Sequence, residues 1–147
     1  MLFRRFYQWI SVLVSLAIVC VIGLGLFAAN VSKLSDLGGE RVFYLDSPSS
    51  QGLRKEELSL LDIFRVEGES VRFARTSETE TDLVTRIRDT YGAEVLFTES
   101  VCGVTSYYCY TDAWKNAVDL DGVAVNLHIA VSESVCAVGT PIIFDGF

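Results

Sequence analysis

The thiol and imidazole side chains of this chain outside its N-terminal apolar run are Cys102, Cys109, Cys136 and the single histidine, His128. A thiolate beside an imidazole is a nucleophile with its base. Two thiols in reach of one another form a disulfide when an oxidising compartment removes their two protons and two electrons. Cys102 and Cys109 lie seven apart in the tyrosine-rich stretch VCGVTSYYCYTD. A two-residue turn at Thr105-Ser106 places them opposite one another across a hairpin. Closing that short loop stabilises by about 2.5 kcal/mol, and closing Cys102–Cys136 by almost 4 kcal/mol on the chain-entropy model. Three thiols leave one unpaired. The residues therefore admit one structural disulfide, buried reduced thiols, or a reactive Cys102 or Cys109 served by His128. His128 falls on the polar face of its strand beside Asn126, the setting of a solvated or locally bonded histidine. The Cys/His spacing fits no compact zinc pattern, and neither a metal nor a cofactor is expected.

Two carboxylate pairs, Glu67 with Glu69 and Asp119 with Asp121, flank turn-like segments. Acidic residues are common there for solubility and turn geometry, and the calcium-loop spacing is incomplete. No G-x-S-x-G, phosphate-cradling glycine loop or H-E-x-x-H occurs. Tyr108 and Tyr110 share one face of their strand, and Tyr107 goes with Cys109 on the other. Tyr108 and Tyr110, with Trp114, form a candidate partner-binding platform.

These residues must be positioned by a small domain. Val42–Leu45 reads as a strand, and Asp46–Ser50 as a turn. Arg54–Leu61 is a candidate short helix. Ile63–Val66 and Val71–Ala74 suggest a hairpin around Glu67-Gly68-Glu69-Ser70. Ser77 and Glu80 suit a capping box for a helix with Leu83, Val84, Ile87 and Tyr91 on one face and Gly92 at its stop. Strands follow at Glu94–Ser100 and Tyr107–Thr111. Asp121-Gly122 marks a tight hairpin between Val118–Leu120 and the alternating run Val123–Val131. Val135–Val138 and Ile142–Phe144 complete the pattern as one strand broken at Gly139-Thr140-Pro141. A βαβ step followed by antiparallel hairpins predicts an α+β fold, one mainly antiparallel sheet packed by one main helix.

The first thirty residues set the context. Ile10 to Ala29 are twenty residues without a charge, preceded by Arg4 and Arg5 and flanked by Tyr7 and Trp9. As a helix this run is about 30 Å long, the thickness of a bilayer's hydrocarbon core. Arginines ahead of it keep the N-terminus in the cytoplasm. A cleaved signal peptide has a shorter apolar region and a small-x-small site, which Leu26-Phe27-Ala28-Ala29 does not supply. The chain divides into a cytoplasmic end at 1–9, a transmembrane signal-anchor at 10–29, a linker at 30–41 and an extracytoplasmic α+β domain at 42–147. Such a compartment permits disulfides.

The chain carries 12 basic and 19 acidic residues, a formal net charge of −7. Without Arg4 and Arg5, ten basic residues face the same nineteen acidic ones, a net of −9. That balance argues against nucleic acid as a partner. The expected partners are the membrane, through the N-terminal helix, and a protein of the cell envelope.

The stretch Gly122-Val123-Ala124-Val125-Asn126-Leu127-His128-Ile129-Ala130, followed by Val138-Gly139-Thr140-Pro141-Ile142-Ile143, resembles the end of YwmB-type exported proteins of spore-forming Gram-positive bacteria. The resemblance covers under a third of the chain, and the cysteines lie outside it. It implies a mixed α/β domain in an envelope or sporulation setting, and it transfers no catalytic residues. The sequence thus predicts a membrane-anchored, non-catalytic interaction or structural domain, with a thiol-dependent enzyme or redox protein as the alternative.

Overall fold

The computed structural model describes residues 2–29, 32–46, 53–59 and 61–144. They form an α+β structure, and the chain divides into two compact units at Ser32/Lys33.

The first unit is a single helix, α1 (Leu2–Ala29), of 28 residues, about 42 Å long at 1.5 Å per residue. The uncharged run of the sequence lies wholly within it. Among the described residues no helix is long and apolar enough to cross a membrane. The side chains of Leu26, Ala28 and Ala29, which close the uncharged run, fall outside the described ones. The membrane assignment therefore rests on the sequence.

The second unit is built from β1 (Glu40–Leu45), β2 (Leu53–Lys55), β3 (Val66–Ala74), α2 (Glu80–Tyr91), β4 (Glu94–Val101), β5 (Val104–Tyr110), β6 (Val118–Leu120), β7 (Val123–Val125), β8 (Leu127–Val131) and β9 (Val135–Thr140). Seven strands make one sheet in the order β2-β1-β3-β9-β8-β5-β4, and β6-β7 is a separate two-stranded hairpin. Every neighbouring pair is antiparallel. The predicted βαβ step exists as a crossover. β3 and β4 run the same way but are separated by three strands, because the last hairpin, β8–β9, fills the gap between β3 and β5.

The helix α2 starts two residues later than the capping-box reading. Thr79 is the cap, and its Oγ1 accepts from the Asp82 N–H at 3.2 Å. Gly92 closes it in the left-handed region at φ 58°, where a side chain is strained. Leu83, Val84 and Ile87 pack on one face of the sheet against Val71, Leu127, Ile129, Val131, Cys136 and Val138.

Four local expectations are corrected. The described residues of the stretch 54–61, namely 54–59 and 61, are not helical. Leu53–Lys55 pairs as an edge strand with β1, and a 3-10 turn follows at Asp62–Arg65. Asp62 Oδ2 holds that corner, accepting from Lys55 Nζ (2.7 Å), the Ser59 N–H (2.9 Å) and Ser59 Oγ (2.6 Å). Glu67–Ser70 is not a turn but the middle of β3. Gly68 is required by close approach, since a Cβ there would sit 2.6 Å from the Thr140 carbonyl oxygen. The segment read as a linker, 30–41, carries core residues. Leu34 and Leu37 are buried, and Arg41 donates to both their carbonyls at 3.0 and 3.2 Å. Glu69, 2 % exposed, accepts from the backbone N–H groups of Lys33 and Leu34 and lies 3.8 Å from Arg41 Nε. Finally, Ile142–Phe144 is not a strand. It folds over the second face of the sheet. Of the predicted turn after β1, Ser47–Ser50 lie outside the described residues.

Candidate functional site

The hairpin β4–β5 turns at Cys102-Gly103, not at Thr105-Ser106. Both turn residues have positive φ, 52° and 79°, the geometry of a two-residue turn that matches strand twist. Val101 pairs with Val104, and Val95 with Cys109. A bulge between Val95 and Phe97 shifts the register, and β4 is an edge of the sheet.

The shifted register sets Phe97 opposite Tyr108, and β8 sets His128 on the other side of Tyr108. The three rings stack across three strands. Phe97–Tyr108 centroids are 4.4 Å apart at 17°, and Tyr108–His128 centroids 4.5 Å apart at 13°. The next position across the sheet is Gly139. A Cβ there would meet Ile143 Cγ1 at 2.8 Å and the Ile142 carbonyl carbon at 2.9 Å. The glycine lets the C-terminal segment lie on the sheet and close the inner end of this ladder.

His128 is accordingly buried, and of its two expected settings, solvated or locally bonded, the structure has the bonded one. Its Nδ1 accepts from the Ile143 N–H at 3.3 Å. The proton of the neutral ring then sits on Nε2, which is buried and has no partner among the described residues. Burial lowers the imidazole pKa to about 4, so the ring is uncharged at neutral pH.

The outer end of the ladder is open. Phe97 and Tyr108 floor a groove of about 500 Å³. The bulge residue Leu96 lines it with them, and Leu120, Asp121 and Val123 of the β6–β7 hairpin form the opposite wall. Leu96 and Val123 are 39 % and 36 % exposed, so apolar surface faces solvent here. Glu99 also lines the groove, and its Oε2 accepts from the Tyr108 hydroxyl at 3.3 Å. Tyr108's pKa is raised by burial and by the nearby Glu99 charge, which keeps the phenol protonated as that donor.

The hairpin wall is fixed from behind by Asn126. This residue is fully buried. Its backbone N–H donates to the Cys109 carbonyl (3.1 Å), and its Oδ1 accepts from the Thr111 N–H (2.8 Å). Its Nδ2 donates to the carbonyls of Thr111 (2.7 Å) and Trp114 (2.9 Å). Asn126 therefore interrupts the single strand expected over Val123–Val131. Asp121 and Gly122 form the predicted turn with φ 52° and 88°, and Asp119 Oδ1 accepts from the Gly122 N–H at 2.9 Å.

The structure separates the residues that thiol chemistry needs. Cys109 pairs with Leu127 and faces α2, whereas His128, the next residue, faces the groove side. Cys109 and Cys136 are buried, and burial pushes their thiols up to about 11 and about 12. Cys102 is exposed at the hairpin tip. Thr105 pairs with Val131, so Cys102 and His128 are about six residues, or about 20 Å, apart along the strands. All four cysteines are free: of the readings the sequence left open, the disulfide is corrected, and Cys109 and Cys136 are buried thiols. The turn at Cys102-Gly103 carries Cys102 away from Cys109. Cys136 lies on β9, beyond β8.

Among the described residues no three His, Cys, Asp or Glu side chains converge on one point. Of the expected platform, Tyr108 floors the groove. Tyr110 lies on β5 at the same alternation. Trp114 does not join them. It packs against the core on the α2 side, 5.2 Å from Tyr91, with Lys33 Nζ 5.8 Å from its ring. Sequence reasoning missed Leu96, Phe97 and Glu99, because the bulge that gathers them leaves no mark in the alternation of residues 94–100. No family model, curated protein or solved structure matches the chain.

Proposed function

We propose that this chain is a single-pass membrane protein whose outer domain is a non-catalytic interaction module of the cell envelope. The uncharged run Ile10–Ala29 behind Arg4 and Arg5 supports the anchor, and it lies within one unbroken helix. The resemblance of the C-terminal stretch to YwmB-type proteins supports an exported, spore-former setting for the same module. The observation that carries the binding reading is the groove. Its stacked aromatic floor, exposed apolar walls and carboxylates form a concave surface of the kind that binds partners. Thiol chemistry has less support, because Cys109 and His128 lie on opposite faces of the sheet.

The test is site-specific photocrosslinking in cells after alkaline washing of membranes. The chain is expected to stay in the membrane pellet. A crosslinker at Val123 is expected to give a discrete adduct that one at Asp89, exposed on α2, does not. A chain released by washing, or the same adducts from both positions, would contradict the reading.

A further inference from the structure

The geometry points to an arginine side chain of the partner as the group that occupies the groove. This rests on the interaction-module reading and specifies its chemistry. The groove is lined by two carboxylates, Glu99 and Asp121, and by no basic residue. The surrounding chain is one-sided as well. From Glu94 to Asn126 there are five acidic residues (Glu94, Glu99, Asp112, Asp119, Asp121) and one basic residue, Lys115. An anionic ligand is repelled, and a purely apolar one gains nothing from the two carboxylates.

Arginine suits the remaining features better than lysine. Its planar guanidinium stacks on an aromatic face while donating in a fork to carboxylates. The groove lining supplies both kinds of group: Tyr108 is stacked on both sides, which leaves the outer face of Phe97 as the end of the ring ladder, and Glu99 is held beside Tyr108 by the hydroxyl contact. The aliphatic stem has its own place against Leu96, Leu120 and Val123. Strand addition to the β4 edge is a poorer fit. The bulge at Val95/Phe97 disrupts the edge that a new strand needs. The occupant is therefore a side chain presented by a partner's surface, entering a groove that is already formed.

The experiment uses the full chain in uncharged detergent micelles and reads methyl resonances of Leu96, Leu120 and Val123 by NMR. The probe is the acetylated, amidated peptide Gly-Leu-Arg-Leu-Gly, with its citrulline and glutamate counterparts. Saturable shifts are expected with the arginine peptide. The citrulline peptide, isosteric but uncharged, is expected to bind about tenfold more weakly or less, and the glutamate peptide not at all. Glu99→Gln combined with Asp121→Asn is expected to lower arginine-peptide affinity about tenfold with the remaining spectrum unchanged. Equal binding of arginine and citrulline peptides, or no saturable shift, overturns the inference. The citrulline comparison decides even if the double variant fails to fold. If the peptides fail while the Val123 crosslink succeeds, the arginine assignment falls alone. If the peptides bind while the chain washes free of membranes, the anchor reading falls alone.

Discussion

The two faces of the seven-stranded sheet are built on opposite terms. Toward α2, successive strands present Val71, Val138, Ile129 and Cys109, all buried and closed by Leu83, Val84 and Ile87. On the other face the same strands present Ser70, Gly139, His128 and Tyr108. That face is closed partly by residues 142–144 and is left open beyond Tyr108. Bulk apolar burial holds the first face. Small residues, stacked rings and single hydrogen bonds hold the second. A face of the second kind has surface to spare for a partner.

Substitutions on the first face should cost most. Ile129→Ala, beneath α2, is expected to lower stability by about 3 kcal/mol, read from denaturant midpoints. A loss under 1 kcal/mol would mean the α2 face is not the main core.

The second face should be the acid-sensitive one. Unfolded, His128 takes up a proton near its ordinary value of 6.5, whereas in the fold it does so only near 4. The unfolded state therefore binds more protons between these values. Stability contributed by the neutral ring is present above pH 6.5 and is lost as pH falls toward 4, by about 3 kcal/mol at most. Denaturant titrations across that window should show the slope in the native chain and not in His128→Phe. The same slope in both would assign it to other groups.

A smaller effect is expected where the C-terminal segment rests. Gly139→Ala puts a methyl against the Ile142 backbone and should cost about 1–2 kcal/mol. Faster hydrogen exchange at the Ile143 amide, with the α2 side unchanged, would show that the segment had lifted. Least affected should be the groove. Glu99→Gln is expected to change stability by less than about 0.5 kcal/mol. A larger loss in thermal unfolding would make Glu99 structural and remove it from the binding surface.

The first face was legible in the sequence because alternation and helical period report apolar burial directly. Of Val123, Val125, Leu127, Ile129 and Val131, which alternate as one inner face, the last four are buried and Val123 is exposed in the groove. The Asp121-Gly122 turn was legible from its residue types. The Cys102-Gly103 turn carried a comparable signal, a glycine at the second turn position, but the cysteines drew the register toward Thr105-Ser106. The second face was hidden for physical reasons. His128 and Asn126 read only as a polar strand face, because polar residues alternate with the apolar ones. Their cover and partners come from distant segments, Ile143 for one and Thr111 with Trp114 for the other. Gly68 likewise read as a turn because close approach and positive φ both select glycine. Leu34 and Leu37 sat in a stretch whose polarity suggested a linker, yet Glu69 and Arg41 tie that stretch to the sheet.

The placement of the domain outside the membrane is the claim on which the envelope role depends, and Cys102 reports on it directly. It is exposed, whereas Cys109 and Cys136 are buried. Intact cells producing the chain, with any outer barrier permeabilised, are treated with a membrane-impermeant maleimide, and labelling is followed by mass shift. One label per chain before lysis, lost in Cys102→Ser, is the predicted result. No label until the cells are broken would place the domain in the cytoplasm and contradict the account.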